Sequence, residues 1–292
     1  KKAIPAVRKL LSHSNEFIQA RAIWLLAKLG SDGLKIVESQ LDNQNPKIRI
    51  CAFRALRHEN HRMLEHAGKL ATDSSPLVRR EVALAMRYVA FENARDILLE
   101  IAKRYDGQDR YYVEAFGIGC TDKEEKMYTV IKKSIRTKNY DPKYAGLVWR
   151  LHTVSAIPEI QSWALDEKLE SKARRSMLFA LSLIEAPQAV NAMIRVAKSA
   201  KGETASLAQS FIEKRNQGIW NQFKAMDLLN GKKASESIYV DRIAPTSFGP
   251  ETKLPQADKI LALTGDPDHG KQQIGRCYVC HKVGSVGVEF GP

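Results

Sequence analysis

Apolar positions between residue 1 and about residue 230 recur with two periods, one short and one long. With Ile18, Ile48, Val78, Tyr111, Tyr144, Ala173 and Thr204 as anchors, successive steps are 30, 30, 33, 33, 29 and 31 residues. Four positions beyond each anchor stand Ala22, Ala52, Val82, Ala115, Val148, Met177 and Ala208, and eight beyond stand Leu26, Leu56, Met86, Gly119, His152, Leu181 and Ile212. Spacings of four and eight place all three on one stripe of an α-helix. The small or β-branched residue in the middle of most stripes lets a neighbouring helix approach closely. Asn45-Pro46, Ser75-Pro76 and Asp141-Pro142 each put an N-cap side chain before a proline at the first helical position. A second, shorter apolar pattern lies between these helices, as in Leu34, Val37 and Leu41, or Ile97, Leu98 and Ile101, or Val190, Met193 and Ile194.

Each repeat therefore reads as a pair of antiparallel helices. Such a pair cannot bury both of its faces alone, so stacking is required and an all-α solenoid is expected. The ankyrin pattern Thr-Pro-Leu-His and the tetratricopeptide pattern Trp-x-x-Leu-Gly-x-x-Tyr do not recur. Pro46-Lys47-Ile48-Arg49-Ile50-Cys51-Ala52 and Pro76-Leu77-Val78-Arg79-Arg80-Glu81-Val82 resemble the second helix of HEAT repeats, with an arginine after the branched residue. The resemblance covers most of residues 1–230, is clear in three repeats and degenerates in the later ones.

After Leu229 the texture changes. Residues 231–264 open on Gly231-Lys232-Lys233 and contain Pro245, Gly249, Pro250 and Pro255 with little periodicity, which reads as a linker. Lys259 to Leu263 is expected to form a short helical turn before a third region, residues 265–292.

That third region carries the most specific chemistry in the chain, Cys277-Tyr278-Val279-Cys280-His281. Cys-x-x-Cys-His is the attachment pattern for c-type haem. Two thiols three positions apart can each form a thioether to one porphyrin edge, and the adjacent imidazole then falls beneath the iron as an axial ligand. Two other readings stay open at the level of the residues. Zinc needs four ligands, which Cys277, Cys280 and His281 supply together with His269, although a His abutting a Cys spaces them poorly. A thioredoxin-like pair expects a preceding strand, and none is predicted.

Gly265-Asp266-Pro267-Asp268-His269-Gly270-Lys271 before the pentapeptide and Gly291-Pro292 after it extend the match. The run resembles the opening of the cytochrome c domain that follows helical repeats in large secreted, haem-binding dehydrogenases of planctomycete-type and related bacteria. The resemblance implies that Cys277 and Cys280 hold a covalent haem c and that His281 is the proximal iron ligand. It further implies that the carbonyl of Pro292 accepts the His281 Nδ1 proton, a contact that fixes the imidazole tautomer. Ile274 stands where the family has an aromatic against the haem edge. The family places its distal ligand, usually a methionine, in a segment beyond Gly-Pro, so 265–292 matches only the N-terminal part of such a domain and the distal ligand is unassigned. The resemblance also implies extracytoplasmic, periplasmic-type electron transfer and a redox partner protein or fused dehydrogenase domain. A chain that begins Lys1-Lys2 with no signal-type apolar region is expected to be an internal or processed fragment.

Composition changes this picture little. The 292 residues carry a net charge of +13, with 44% hydrophobic and 27% charged residues, an ordinary soluble balance. No run of eighteen apolar residues is present, so no membrane span is expected. The positive charge sets up the rival reading, a basic HEAT-like module gripping nucleic acid or an acidic protein, with the Cys-x-x-Cys-His incidental or zinc-binding. The basic residues are spread along the whole chain, however, and solvated helix faces account for most of them. No catalytic residue stands out among the 33 acidic ones. His58, His61 and His66 straddle a turn and read as exposed turn histidines rather than a metal site. Of Trp24, Trp149, Trp163 and Trp220, potential base-stacking groups, Trp24 and Trp149 fall on or beside the buried stripes and read as core. Cys51 and Cys120 read as small buried hydrophobes.

Overall fold

The computed structural model describes residues 2–231, 262 and 264–268, and the backbone of 282–283 and 286–287. The chain divides into two compact units, Lys1–Ser237 and Ile238–Pro292.

Every regular element among the described residues of the first unit is a helix. Its helices are α1 (Ile4–Lys9), α2 (Glu16–Ala27), α3 (Ser31–Ser39), α4 (Pro46–His58), α5 (Met63–Leu70), α6 (Pro76–Ala85), α7 (Phe91–Lys103) and α8 (Arg110–Gly119). They continue as α9 (Glu124–Ile135), α10 (Pro142–Leu151), α11 (Ile157–Leu165), α12 (Ser171–Leu183), α13 (Pro187–Ser199), α14 (Gly202–Asn216) and α15 (Ala225–Leu229), with short 3-10 turns between some of them. The even-numbered helices from α2 to α14 hold the anchors, and each packs on the next even-numbered one. Among the odd-numbered helices α5 packs on α7, α7 on α9, α11 on α13 and α13 on α15. In the second unit, Lys282–Val283 pairs antiparallel with Val286–Gly287, with Lys282 opposite Gly287 and Val283 opposite Val286.

The predicted stripes are the core. Ala22, Ala52, Val82, Ala115, Val148, Met177 and Ala208 are all buried, as are Leu26, Leu56, Met86, Leu181 and Ile212. Gly119 has a reason to be glycine: a Cβ there would lie 2.4 Å from the Ala83 carbonyl oxygen, so α6 and α8 touch through backbone at this point. Asn45 and Asp141 cap α4 and α10 by accepting from the amides of Lys47 and Lys143, at 3.0 Å each. Ser75 makes no such bond; its own amide is taken up by Asp73 Oδ1 at 2.8 Å.

One anchor is corrected. Tyr111 is 71% exposed beneath the Arg80 guanidinium, whereas Tyr112 is 2% exposed and takes the buried place. The Tyr112 hydroxyl donates to the Ile101 carbonyl at 2.8 Å and accepts from Arg79 Nε at 3.0 Å, and these two bonds let a phenol sit in the core. Ile18 and Ala173 are only partly buried. Trp24 is corrected as well, whereas Trp149 packs against the core as expected. Trp24 is 37% exposed, edge-on to His58, and Trp149 is half-buried, while Trp220 is fully buried with its indole N–H donating to the Ile184 carbonyl at 2.9 Å.

The arginine that follows the anchor has a structural task. Arg49 Nη1 reaches back to the carbonyls of Asn43 and Gln44, and Arg79 Nη1 to those of Asp73 and Ser74, so each arginine ties down the loop that opens its own helix. Gln19, one period earlier, does the same to the His13 carbonyl. Arg49 and Arg79 also reach into the following repeat, Arg49 to Asp73 and Arg79 to Tyr112. Arg174, which follows the later anchor Ala173, donates to Thr204 Oγ1, the next anchor, at 3.0 Å.

Candidate functional site

Ile274, Cys277, Cys280, His281 and Pro292 lie outside the described residues, as do His269 and the helical turn expected at 259–263 except for Ala262. Of the run leading to them, Thr264 to Asp268 is described; Asp266 Oδ1 accepts from the Asp268 amide at 3.1 Å, a turn in which Asp266 acts as its own cap. The remaining thiols do not compete for a covalent role. Cys120 is fully enclosed and Cys51 partly so, both are free, and burial raises both thiol pKa values, which leaves little thiolate.

In the helical unit the structure assembles a cluster of imidazole and carboxylate that corrects the reading of the turn histidines. Glu38 lies near the end of α3, His61 in the α4–α5 connection and His66 on α5. Their ligand atoms all fall within 4.8 Å of one another. Glu38 Oε1 is 3.1 Å from His61 Nε2 and 3.1 Å from His66 Nε2. Arg62 Nη1 donates to the same oxygen at 3.0 Å while its other nitrogens hold Glu65. His58 stays outside, exposed against Trp24. His66 is only 6% exposed, and its Nε2 has no hydrogen-bond partner: the 3.1 Å separation from Glu38 is a close approach without hydrogen-bond direction. Burial pushes the His66 pKa down; Glu38 opposes the shift and Arg62 adds to it. Burial works to raise the Glu38 pKa, but His61, Arg62 and His66 outweigh it and hold the carboxyl below its usual range.

The backbone that presents His61 is specific. Asn60 and Arg62 on either side of it adopt left-handed conformations, with φ of 51° and 47°. For Arg62, a residue without the local side-chain hydrogen bonding that eases Asn into this region, that conformation is uncommon. The His61 amide donates to the Leu56 carbonyl at 2.9 Å, closing the end of α4. His61 and His66 were visible in the sequence, but Glu38 was not paired with them. The missing signal is tertiary: Glu38 on α3 and His66 on α5 lie 28 positions apart in the chain and meet only through packing between helices.

Two further polar groups are partly buried in the later helices. Glu159 accepts from the Tyr128 hydroxyl at 3.1 Å, the Tyr144 hydroxyl at 2.9 Å and Arg136. Burial and the facing carboxylate raise both phenol pKa values. His152 ends α10 in a left-handed conformation, edge-on to Trp149, with its Nε2 unpartnered. Burial, aided by Arg150, lowers its pKa to about 4.

His152 therefore makes the helical unit sensitive to acid. Its folded pKa is below the unfolded value, so its contribution is complete above about pH 6.5 and is lost as pH falls toward 4, amounting to about 3 kcal/mol. His152→Asn keeps a residue that tolerates φ of +51° and removes the proton. The difference in urea-melt stability between wild type and variant should shift by about 3 kcal/mol in the variant's favour between pH 7 and pH 4. Parallel pH profiles would contradict the assignment.

Comparison with known proteins adds little. No family model and no curated protein matches the chain. Among solved structures, an engineered protein known from a crystal structure aligns over 75% of this chain and 96% of its own, with 14% identity and a TM-score of 0.32. A likeness of that size carries no argument about fold or function. Among the described residues no helix is long and apolar enough to cross a membrane.

Proposed function

We propose that this chain is the electron-transfer part of an extracytoplasmic oxidoreductase, with covalent haem c on Cys277 and Cys280 and a HEAT-like α-solenoid as scaffold. The observation that carries the reading is the pentapeptide Cys277-Tyr278-Val279-Cys280-His281 in its Gly-Asp and Gly-Pro frame. The donor set fits the group: two thiols three apart for the porphyrin edge, an adjacent imidazole for the iron, and no described thiol of comparable reactivity elsewhere. Haem supplies one-electron chemistry when bound. His281 would ligate through Nε2, Pro292 would orient its imidazole from the far side, and Ile274 would exclude water from the haem edge. Extracytoplasmic placement follows from the proposal, because thioether attachment to such motifs is made outside the cytoplasm in the family resembled. The helical unit contributes rigidity, supported by the arginine ties between successive repeats. A redox partner protein or fused dehydrogenase domain would pass the electron on.

Chain produced alongside a cytochrome c maturation system should keep haem-dependent peroxidase stain on a denaturing gel after acid–acetone extraction. Stain removed by that extraction, or one equivalent of zinc in place of haem, would refute the reading.

A further inference from the structure

We propose that Glu38, His61 and His66 form a second, separate metal site, a mononuclear centre for a divalent transition-metal ion of the zinc class, bound by two imidazole Nε2 atoms and one carboxylate oxygen. Four observations carry it. First, the ligand types match: two imidazoles and a carboxylate suit a borderline divalent ion and leave at least one position for water or another small ligand. Second, the spacing matches. Ligand atoms about 2.0–2.1 Å from a tetrahedral ion lie about 3.3 Å apart, and Glu38 Oε1 stands 3.1 Å from each Nε2. The two imidazole nitrogens lie within 4.8 Å of each other, so an ion would draw them together.

Third, His66 Nε2 is buried and unpartnered, aimed at the cluster. An orphaned buried nitrogen is costly, and coordination would satisfy it. Fourth, there is an entry path, because the Glu38 and His61 side chains are 20% and 29% exposed. The Arg62 guanidinium now faces Glu38 Oε1 and supplies the positive charge an ion would bring. Its side chain is half-exposed and is held also by Glu65, so it has somewhere to go when an ion displaces it. This makes Arg62 a competitor for the site rather than a ligand, and the competition gives the proposal its sharpest test.

The experiment uses the full chain with Cys277→Ala and Cys280→Ala, so that no thiolate of the pentapeptide takes up the ion, and with any affinity tag removed. Zn2+ is titrated calorimetrically into metal-free protein, and Co2+ is added separately to read the ligand field. One equivalent should bind, and Co2+ should give the visible bands of a nitrogen- and oxygen-ligated site with no sulfur charge-transfer band. Glu38→Gln and His66→Gln should each weaken Zn2+ binding at least tenfold, of the order seen when a ligand shell is damaged. Arg62→Ala should tighten it severalfold while Glu65→Ala does not weaken it. Far-UV circular dichroism of each variant separates loss of the site from loss of the fold, and Glu38→Gln, which keeps shape, is the variant relied on if His66→Gln fails to fold. No bound equivalent, an affinity unchanged in folded Glu38→Gln, or a sulfur band pointing to Cys51 would overturn the proposal.

Discussion

Asp73→Ala is expected to destabilise the helical unit by about 3–5 kcal/mol, because it leaves a buried guanidinium without its counter-charge. Arg49 forks onto Asp73 through Nε at 2.8 Å and Nη2 at 2.7 Å, with the two side chains only 11% and 8% exposed. Its Nη1 is meanwhile committed to the Asn43 and Gln44 carbonyls at 2.7 and 3.0 Å, so the arginine cannot swing out to water without releasing that loop. Asp73 does more than neutralise: its Oδ1 also accepts the Ser75 amide at the start of α6. The natural comparison is Asp42, which pairs with Lys69 at 2.6 Å with side chains 68% and 54% exposed. Asp42→Ala should cost under about 1 kcal/mol, since an exposed pair is screened and gains little over solvation. Urea melts of both variants decide the matter, and equal losses would show that the Arg49–Asp73 fork is not the tie between repeats described above. Replacing both members of the fork with apolar residues should recover much of the loss, because the cost arises from the orphaned charge.

The largest effect of any substitution is expected at the pentapeptide. Cys277→Ala together with Cys280→Ala should abolish covalent haem, whereas either single change should leave a protein attached through one thioether with reduced yield. The reason is chemical: each bond to the porphyrin edge needs its own sulfur nucleophile, and Cys51 in α4 and Cys120 at the C-terminal cap of α8, both with raised thiol pKa values, cannot substitute. His281→Ala should separate the two roles of the motif, keeping attachment sites while removing the proximal ligand. Haem retained on the double variant in a denaturing gel would show that the attachment lies elsewhere.

Much of the helical unit was legible in the sequence, because a repeat of about thirty residues imposes the same burial pattern again and again. Small residues such as Ala22, Ala52 and Ala208 recur in the middle of the stripes, and all three are buried. The departures from the pattern have local causes. Tyr111 and Tyr112 are adjacent and equally apolar, and the buried one, Tyr112, is the one whose hydroxyl finds partners in Arg79 and Ile101. Trp24 sits beside the stripe but leans outward onto His58, which no periodicity records. The Glu38–His61–His66 cluster escaped for a different reason. Its members come from different elements, with two left-handed residues in the turn before α5, and their meeting is a property of packing between elements rather than of any one helix. The candidate haem motif is the opposite case: five consecutive residues carry the chemistry, so the sequence alone suffices to nominate it.

The most direct test of the account is a spectroelectrochemical titration of the matured chain. A haem-bearing electron carrier should give one reversible wave whose oxidised-to-reduced ratio changes tenfold for about every 59 mV, the slope for one electron. The same wave should be absent from the Cys277→Ala, Cys280→Ala protein. A matured chain, verified by mass to contain the intact pentapeptide, that shows no reversible one-electron wave would contradict the account.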